Sequence, residues 1–153
     1  MKKLIVPVIT QAVILGGVIS VSLATPVAAE ELAVKTSNGV SYVSGGFGLD
    51  ERQRLRSIAR GDNLELSFAL TNKEYLGGAN VVIKGQNGST VLEDVSDGPL
   101  FYAQLPAGTY TVEARAMGKT LRQNVQVPSK GQARVHFAWN SADATMAEAM
   151  AHN

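Results

Sequence analysis

Arginine is the residue type whose spacing most clearly predicts binding chemistry in this sequence. Arg52, Arg56 and Arg60 recur at every fourth position, so on a helix they would line one stripe. A guanidinium group makes bidentate hydrogen bonds to carboxylates and phosphates. This stripe therefore predicts a docking surface for an acidic protein, an anionic lipid or an anionic glycan. A solvated helix face, with its arginines paired to nearby carboxylates, is the alternative interpretation.

Aromatic residues near predicted loops form a second candidate binding surface. Tyr42, Phe47 and Tyr75 lie close to Gly-rich or polar segments, and we expect their rings to be exposed. Exposed rings of this kind can stack on sugar rings, which predicts a glycan-binding site as the alternative function. Aromatic residues at alternating apolar positions of strands are instead expected in the core, namely Tyr110, Phe137 and Trp139.

The sequence contains no pattern typical of catalysis or metal binding. Neither His136 nor His152 has a local partner pattern, and we expect His136 to be a surface residue. The acidic run Glu93–Asp97 lacks the ligand spacing of a calcium loop and predicts a solvated turn. The glycines of Gly45–Gly48 lack the Lys-Ser/Thr ending of a phosphate-binding loop. We therefore expect no enzyme activity, no catalytic residues, no metal and no cofactor.

The first 29 residues predict a secretory signal peptide. Lys2 and Lys3 form a short basic start, and a long apolar run follows them. Val27 and Ala29 provide the small side chains that signal peptidase requires. We expect cleavage after Ala29 and a location in the bacterial periplasm or outside the cell. An uncleaved anchor is the alternative, since about twenty apolar residues can span a bilayer.

Composition narrows the classes of function further. A chain of 153 residues predicts one domain. Its net charge of +1 becomes −1 once the two lysines of the leader are removed, and this balance argues against a nucleic-acid partner. The absence of cysteine excludes disulfides and thiolate chemistry, which in an exported protein fits a bacterial envelope better than a eukaryotic secreted module. The oligomeric state is not predicted by any pattern.

Hydrophobic periodicity predicts one short helix followed by strands. The helix is expected over about residues 51–60, with Asp50 as its N-cap and Gln53 completing a capping box. Its buried stripe is predicted to consist of Leu55, Ile58 and Ala59. Seven alternating segments between turn signals follow over residues 63–140, which is typical of an antiparallel sandwich. A flexible tail is predicted for residues 141–153.

Three segments resemble a known family, and a fourth resembles proteins that contain it. Leu76–Ile83, the Asp97-Gly98 turn and Leu105-Pro106-Ala107-Gly108-Thr109-Tyr110-Thr111-Val112 resemble the carboxypeptidase regulatory-like module. Upstream, Gly39–Arg52 is similar to a segment of small exported bacterial proteins that pair it with this module. The resemblance implies a mainly β fold, a seven-stranded antiparallel transthyretin-like (prealbumin-like) sandwich with one short helix before it. It also implies an accessory domain without catalytic residues.

The resulting organisation is a signal peptide at 1–29, then a lead-in with a Gly-rich loop and short helix at 30–61. A transthyretin-like sandwich at 62–140 and the tail at 141–153 complete the chain. The leading function is a non-catalytic exported interaction module of the bacterial cell envelope, and envelope glycan binding is the alternative. A hydrolase of the transthyretin-like family is a distant third, because the Tyr-Arg-Gly-Ser C-terminal signature of the hydroxyisourate hydrolases is absent.

Overall fold

Two β-sheets lie face to face, and the alternating apolar side chains of both sheets fill the space between them. The computed structural model describes residues 32–151, so the predicted signal peptide and its cleavage site lie outside the described residues. The strands are β1 (Lys35–Ser37), β2 (Val40–Gly45), β3 (Leu64–Leu70), β4 (Asn80–Lys84), β5 (Thr90–Val95), β6 (Leu100–Gln104), β7 (Gly108–Ala116), β8 (Lys119–Val127) and β9 (Ala133–Trp139). The helices are α1 (Leu49–Ile58) and α2 (Ser141–Ala151).

The strand order differs from the expected seven-stranded antiparallel sandwich. One sheet has the order β1-β2-β6-β3-β9 and the other β5-β4-β7-β8, so the described residues form nine strands. The mainly β prediction and the seven strands after residue 63 are confirmed. The two additional strands are β1 and β2, a hairpin that turns at Asn38-Gly39 and pairs with β6. In addition, β9 pairs with β3 in parallel, so the sandwich is not wholly antiparallel.

Buried and exposed residues alternate along the strands, and the buried ones form the core between the two sheets. Tyr110, Val112 and Ala114 of β7 are buried, and the residues between them are more exposed. Large rings fill the centre, since Phe68, Phe137 and Trp139 have centroids about 6 Å apart. Each fully buried large apolar side chain contributes about 1.5–3 kcal/mol to folding. Packing alone can therefore stabilise this cysteine-free domain.

Helix α1 covers part of the outer face of the first sheet. Leu55 and Ala59 are buried against Val43, Leu100 and Tyr102, which form a small second core. The helix is so short that only these two positions, one turn apart, face the sheet. The expectation that Ile58 is buried is therefore wrong, because its side chain is exposed.

The start of α1 also differs from expectation. Gly48 is the N-cap and makes no side-chain capping bond, and Asp50 lies inside the first turn. The predicted Asp50/Gln53 capping box is therefore wrong. Instead, the Glu51 carboxylate accepts a hydrogen bond from the Gly46 N–H at 2.9 Å, which holds the preceding loop against the helix. Acidic side chains in the first turn also interact favourably with the helix dipole.

The C-terminal segment forms a helix over Ser141–Ala151, where the sequence favours a loose tail. The missed signal is Asn140, whose side-chain oxygen accepts a hydrogen bond from the Ala142 N–H at 3.0 Å. This is N-cap geometry, and it satisfies one of the unpaired donors of the first turn.

Substitution of Gly98 is expected to destabilise the fold. A Cβ on Gly98 would lie 2.7 Å from the Gly45 Cα, inside van der Waals contact with backbone that cannot turn away. We expect Gly98→Ala to lower the free energy of unfolding by about 1–3 kcal/mol. Gly61→Ala is the matched control, since a Cβ there meets nothing within 4 Å. Urea unfolding measures both, and equal stabilities of the two variants would contradict the close contact.

Candidate functional site

Three loops meet at one end of the sandwich, where β2 ends and β4 and β6 begin. They are residues 45–48, 71–79 and 96–99, and we call this the upper end. The backbones of Gly45 and Gly98 touch, and Phe47 packs over the backbone of Gly77. Ser44 and Asp97 bond each other twice, since the Ser44 hydroxyl accepts from the Asp97 N–H at 2.9 Å and donates to its carboxylate at 3.2 Å. The loops are therefore fixed to one another.

The upper end exposes an apolar patch that consists of Phe47, Leu49 and Tyr75. Their exposed fractions are 58%, 76% and 57%. The prediction that Phe47 and Tyr75 are exposed is confirmed, and the structure adds Leu49. Large apolar side chains held together at a surface are typical of binding sites.

Arg52 joins the parts of this patch. Its guanidinium carbon lies 4.0 Å from the centre of the Tyr75 ring, and its Nη1 donates to the Tyr75 hydroxyl at 3.2 Å. Its Nε donates to the Gly46 carbonyl oxygen at 2.7 Å. Arg52 thus ties the 71–79 loop and the 45–48 loop to α1, and still lies at the edge of the patch.

The other two arginines of the predicted stripe lie in different environments. Arg56 is exposed on α1 and its charge acts on Tyr102 of the sheet below. The pKa of the Tyr102 hydroxyl is raised, chiefly by burial and by the Glu65 charge, and Arg56 opposes this rise. Arg60 follows the C-cap residue Ala59, beyond the end of the helix. Arg52 and Arg56 lie one turn apart on α1 and Arg60 lies beyond its end, so the helix carries two of the three arginines of the predicted stripe.

Tyr42 does not belong to the surface. Its exposed fraction is 6%, and its ring stacks on Phe101 with centroids 5.4 Å apart. The expectation that Tyr42 is exposed is wrong, because Val40–Gly45 forms a strand within the sheet rather than the approach to a loop. Burial and a hydrogen bond to the Asp94 carboxylate raise the pKa of the Tyr42 hydroxyl.

A polar cleft of about 430 Å³ adjoins the patch, with Phe47 on its wall. The Lys35 ammonium group bridges Asp94 at 3.2 Å and Asp97 at 3.1 Å. Lys35 and Asp97 line the cleft together with Leu32, Ala33, Ser44 and Glu51, and Asp94 lies behind Lys35. The acidic run Glu93–Asp97 predicts only a solvated turn, because no local pattern pairs its carboxylates with Lys35, about 60 positions away.

The charges of this cleft stabilise each other. Burial works against ionisation of Asp94, but hydrogen bonds from Tyr42, the Val95 N–H and Lys35 outweigh it, so the pKa of Asp94 is lowered. Burial also lowers the pKa of Lys35, but its bonds to Asp97 and Asp94 outweigh this effect and the net pKa is raised. The cleft therefore holds ionised groups of both signs near neutral pH.

His136 lies on the exposed outer face of the first sheet, as predicted. Its Nδ1 is 2.8 Å from the Ser67 hydroxyl oxygen, across the parallel pair of strands. A serine nucleophile needs an imidazole oriented by a third group. Within residues 32–151 the His136 ring has no second hydrogen-bond partner. The contact is therefore a cross-strand side-chain pair.

No protein-family model and no curated protein sequence matches this chain significantly. The resemblance to the carboxypeptidase regulatory-like module stays a prediction that rests on the motifs quoted above. Among the described residues, neither helix is long and apolar enough to cross a bilayer. No group of three His, Asp or Glu side chains in this part of the chain is arranged to hold a metal ion.

The lowered pKa of Asp94 predicts a pH-dependent contribution to stability. The folded-state pKa lies below the usual value of 3.8, so the contribution is fully present above that value and is lost as the pH falls through the folded-state pKa. We expect Asp94→Asn to destabilise the protein at about pH 7 and to have little effect at about pH 2. Glu93→Gln, an exposed neighbour on β5, is the control. Urea unfolding at both pH values is the measurement, and a pH-independent Asp94→Asn effect would contradict the ion pair.

Proposed function

We propose that this protein is a non-catalytic interaction module of the bacterial cell envelope, exported by the predicted signal peptide. The observation that carries the proposal is the apolar patch of Phe47, Leu49 and Tyr75 at the upper end. Phe47 and Tyr75 are exposed there on loops that are fixed by backbone contact and hydrogen bonds, and Leu49 is exposed at the start of α1.

Rigidity makes this patch suited to binding. Association costs free energy for every side chain and loop that must be ordered, and a preformed surface avoids much of that cost. Aromatic and arginine side chains also dominate the binding energy of protein interfaces. Phe47, Tyr75 and Arg52 are residues of these types, held in mutual contact or by neighbouring backbone.

The arginines of α1 favour a partner with acidic groups on the side that faces this helix, while the exposed carboxylates of Asp50 and Glu74 lie next to Leu49 and Tyr75. Arg52 lies at the edge of the patch, and Arg54 and Arg56 are exposed on the same short helix. Complementary charges accelerate encounter and fix orientation, although each exposed pair adds little affinity. The proposed partner is an envelope protein with an exposed apolar surface that is flanked by carboxylates.

The finer fold assignment, a transthyretin-like sandwich of the carboxypeptidase regulatory-like kind, belongs to this proposal. It is supported by the position of the Pro106-Ala107-Gly108-Thr109-Tyr110 motif at the start of β7. There the Tyr110 hydroxyl donates to the Pro106 carbonyl oxygen at 2.6 Å and closes the turn that the motif encodes. A two-sheet, mainly β architecture is compatible with that family, which is expected to be accessory rather than catalytic.

Glycan binding is the alternative, and it is supported by the exposed rings of Phe47 and Tyr75. Tyr42 does not contribute to a glycan-binding surface, because its ring is buried. Arg52 already covers one face of the Tyr75 ring, so a sugar would have to stack on the other face or on Phe47. This constraint makes the protein-binding proposal the stronger of the two.

Photo-crosslinking from position 49 in the envelope of the producing cell tests the proposal. Leu49 is the most exposed member of the patch, and Gln126, exposed on β8 towards the opposite end, is the control position. We expect one enriched protein adduct from position 49 and none from position 126. Phe47→Ala should weaken this adduct several-fold without loss of folding, since an exposed side chain contributes little to stability.

Other outcomes of the same experiment count against the proposal. Glycan adducts without a protein adduct would support the alternative. Equal labelling from positions 49 and 126, or none from either, would exclude the patch as a binding surface.

A further inference from the structure

Three methionines line a cavity between the β7–β8 turn and α2. Met117 lies in the turn, and Met146 and Met150 lie on the helix. The cavity has a volume of about 460 Å³ and is open to solvent. The only other methionine of the sequence is Met1.

The backbone places all three methionines around the same cavity. Met146 and Met150 are one helical turn apart, so their side chains leave α2 on the same side, with Cβ atoms about 5–6 Å apart. Met117 faces them from the turn, and the Lys119 ammonium group bridges the Asp143 carboxylate at 3.0 Å between turn and helix. Methionine side chains are unbranched and flexible, so three sulfur atoms can converge on one bound ion.

Apolar packing accounts in part for Met117, which is half-buried against the main core, but not for Met146 and Met150. Met146 and Met150 are 64% and 80% exposed, so they do not anchor α2 by burial. Met117 has a φ of 48°, in the left-handed region, at the first position of the two-residue turn Met117-Gly118. Asn, Asp or Gly are strongly preferred at such a position. Turn geometry therefore does not favour a methionine there.

The chemistry of the thioether indicates the ligand. Thioether sulfur is a soft, uncharged donor that selects copper(I) over the harder divalent ions. The Lys119–Asp143 pair is internally neutral, so a singly charged cation meets no excess positive charge at the site. We infer that Met117, Met146 and Met150 form a three-thioether site for copper(I). This site is separate from the apolar patch and does not depend on the proposed function.

A reporter group lies next to the site. Trp139 is the only tryptophan of the sequence, and its indole N–H donates to the Lys119 carbonyl oxygen at 3.0 Å. Lys119 itself lines the cavity. Metal binding there is expected to change the fluorescence of Trp139.

Titration of the purified protein with copper(I), under reducing anaerobic conditions and against a chromogenic chelator, tests this inference. Silver(I) is the redox-inert probe for the same donors. We expect one ion per chain and a change in Trp139 fluorescence that saturates at the same ratio. The affinity should not change between about pH 5.5 and pH 7.5, because a thioether has no proton to lose, whereas histidine titrates in that range.

Three variants separate metal binding from folding. Met146→Leu and Met150→Leu conserve volume and helix propensity, so each should keep the fold and lose at least tenfold in copper(I) affinity. Met117→Asn should lose affinity to the same extent and keep the fold, because the preference of asparagine for the left-handed turn position offsets the lost packing of the half-buried methionine side chain.

The inference would be overturned by wild-type affinity in the double variant Met146→Leu/Met150→Leu, or by absence of copper(I) and silver(I) binding in the parent protein. It would also be overturned if binding were lost in His152→Ala but kept in the methionine variants. His152 is two positions after Met150 in the sequence and lies outside the described residues.

Discussion

The contact between the backbones of Gly45 and Gly98 is the constraint on which the upper end of this protein depends. The two backbone segments run so close that a methyl group on Gly98 does not fit between them. This proximity lets Ser44 and Asp97 bond each other twice, and it places Phe47 over the 71–79 loop. The contact adds to the hydrogen bonds that join the loops, such as that from the Gly78 N–H to the Ser96 carbonyl oxygen at 2.9 Å, and helps to fix the shape of the apolar patch.

The sandwich provides the stable scaffold that holds the loops of the upper end. Its two sheets supply a packed core that needs no disulfide, and α1 lies across the first sheet with two buried residues. Because α1 is short, most of its side chains remain outside, including Arg52 and Leu49 beside the patch. The same end of the sandwich carries the β7–β8 turn and α2, so the two proposed binding functions share one scaffold and use different side-chain chemistry.

Alternating hydrophobicity is a local signal, and it was sufficient to predict β3–β9 and the exposure of Phe47 and Tyr75 beside glycines. It failed where the decisive contact is distant in the sequence. Tyr42 is buried because Val40–Gly45 pairs with β6, about 60 positions later. Two other contacts were not predicted for the same reason, because their partners are far apart in the sequence. They are the parallel pairing of β3 with β9 and the bridge from Lys35 to Asp94 and Asp97. A three-residue strand such as β1 is also too short to show a period.

Amide hydrogen exchange in the parent protein tests most directly whether the upper end is preformed. The Gly46 N–H is bonded to the Glu51 carboxylate and the Asp97 N–H to the Ser44 hydroxyl, although both amides lie outside regular strands and helices. If the upper end is fixed, both amides exchange at least about a hundredfold more slowly than in an unfolded chain. Exchange of either amide at the unfolded-chain rate would contradict a fixed upper end.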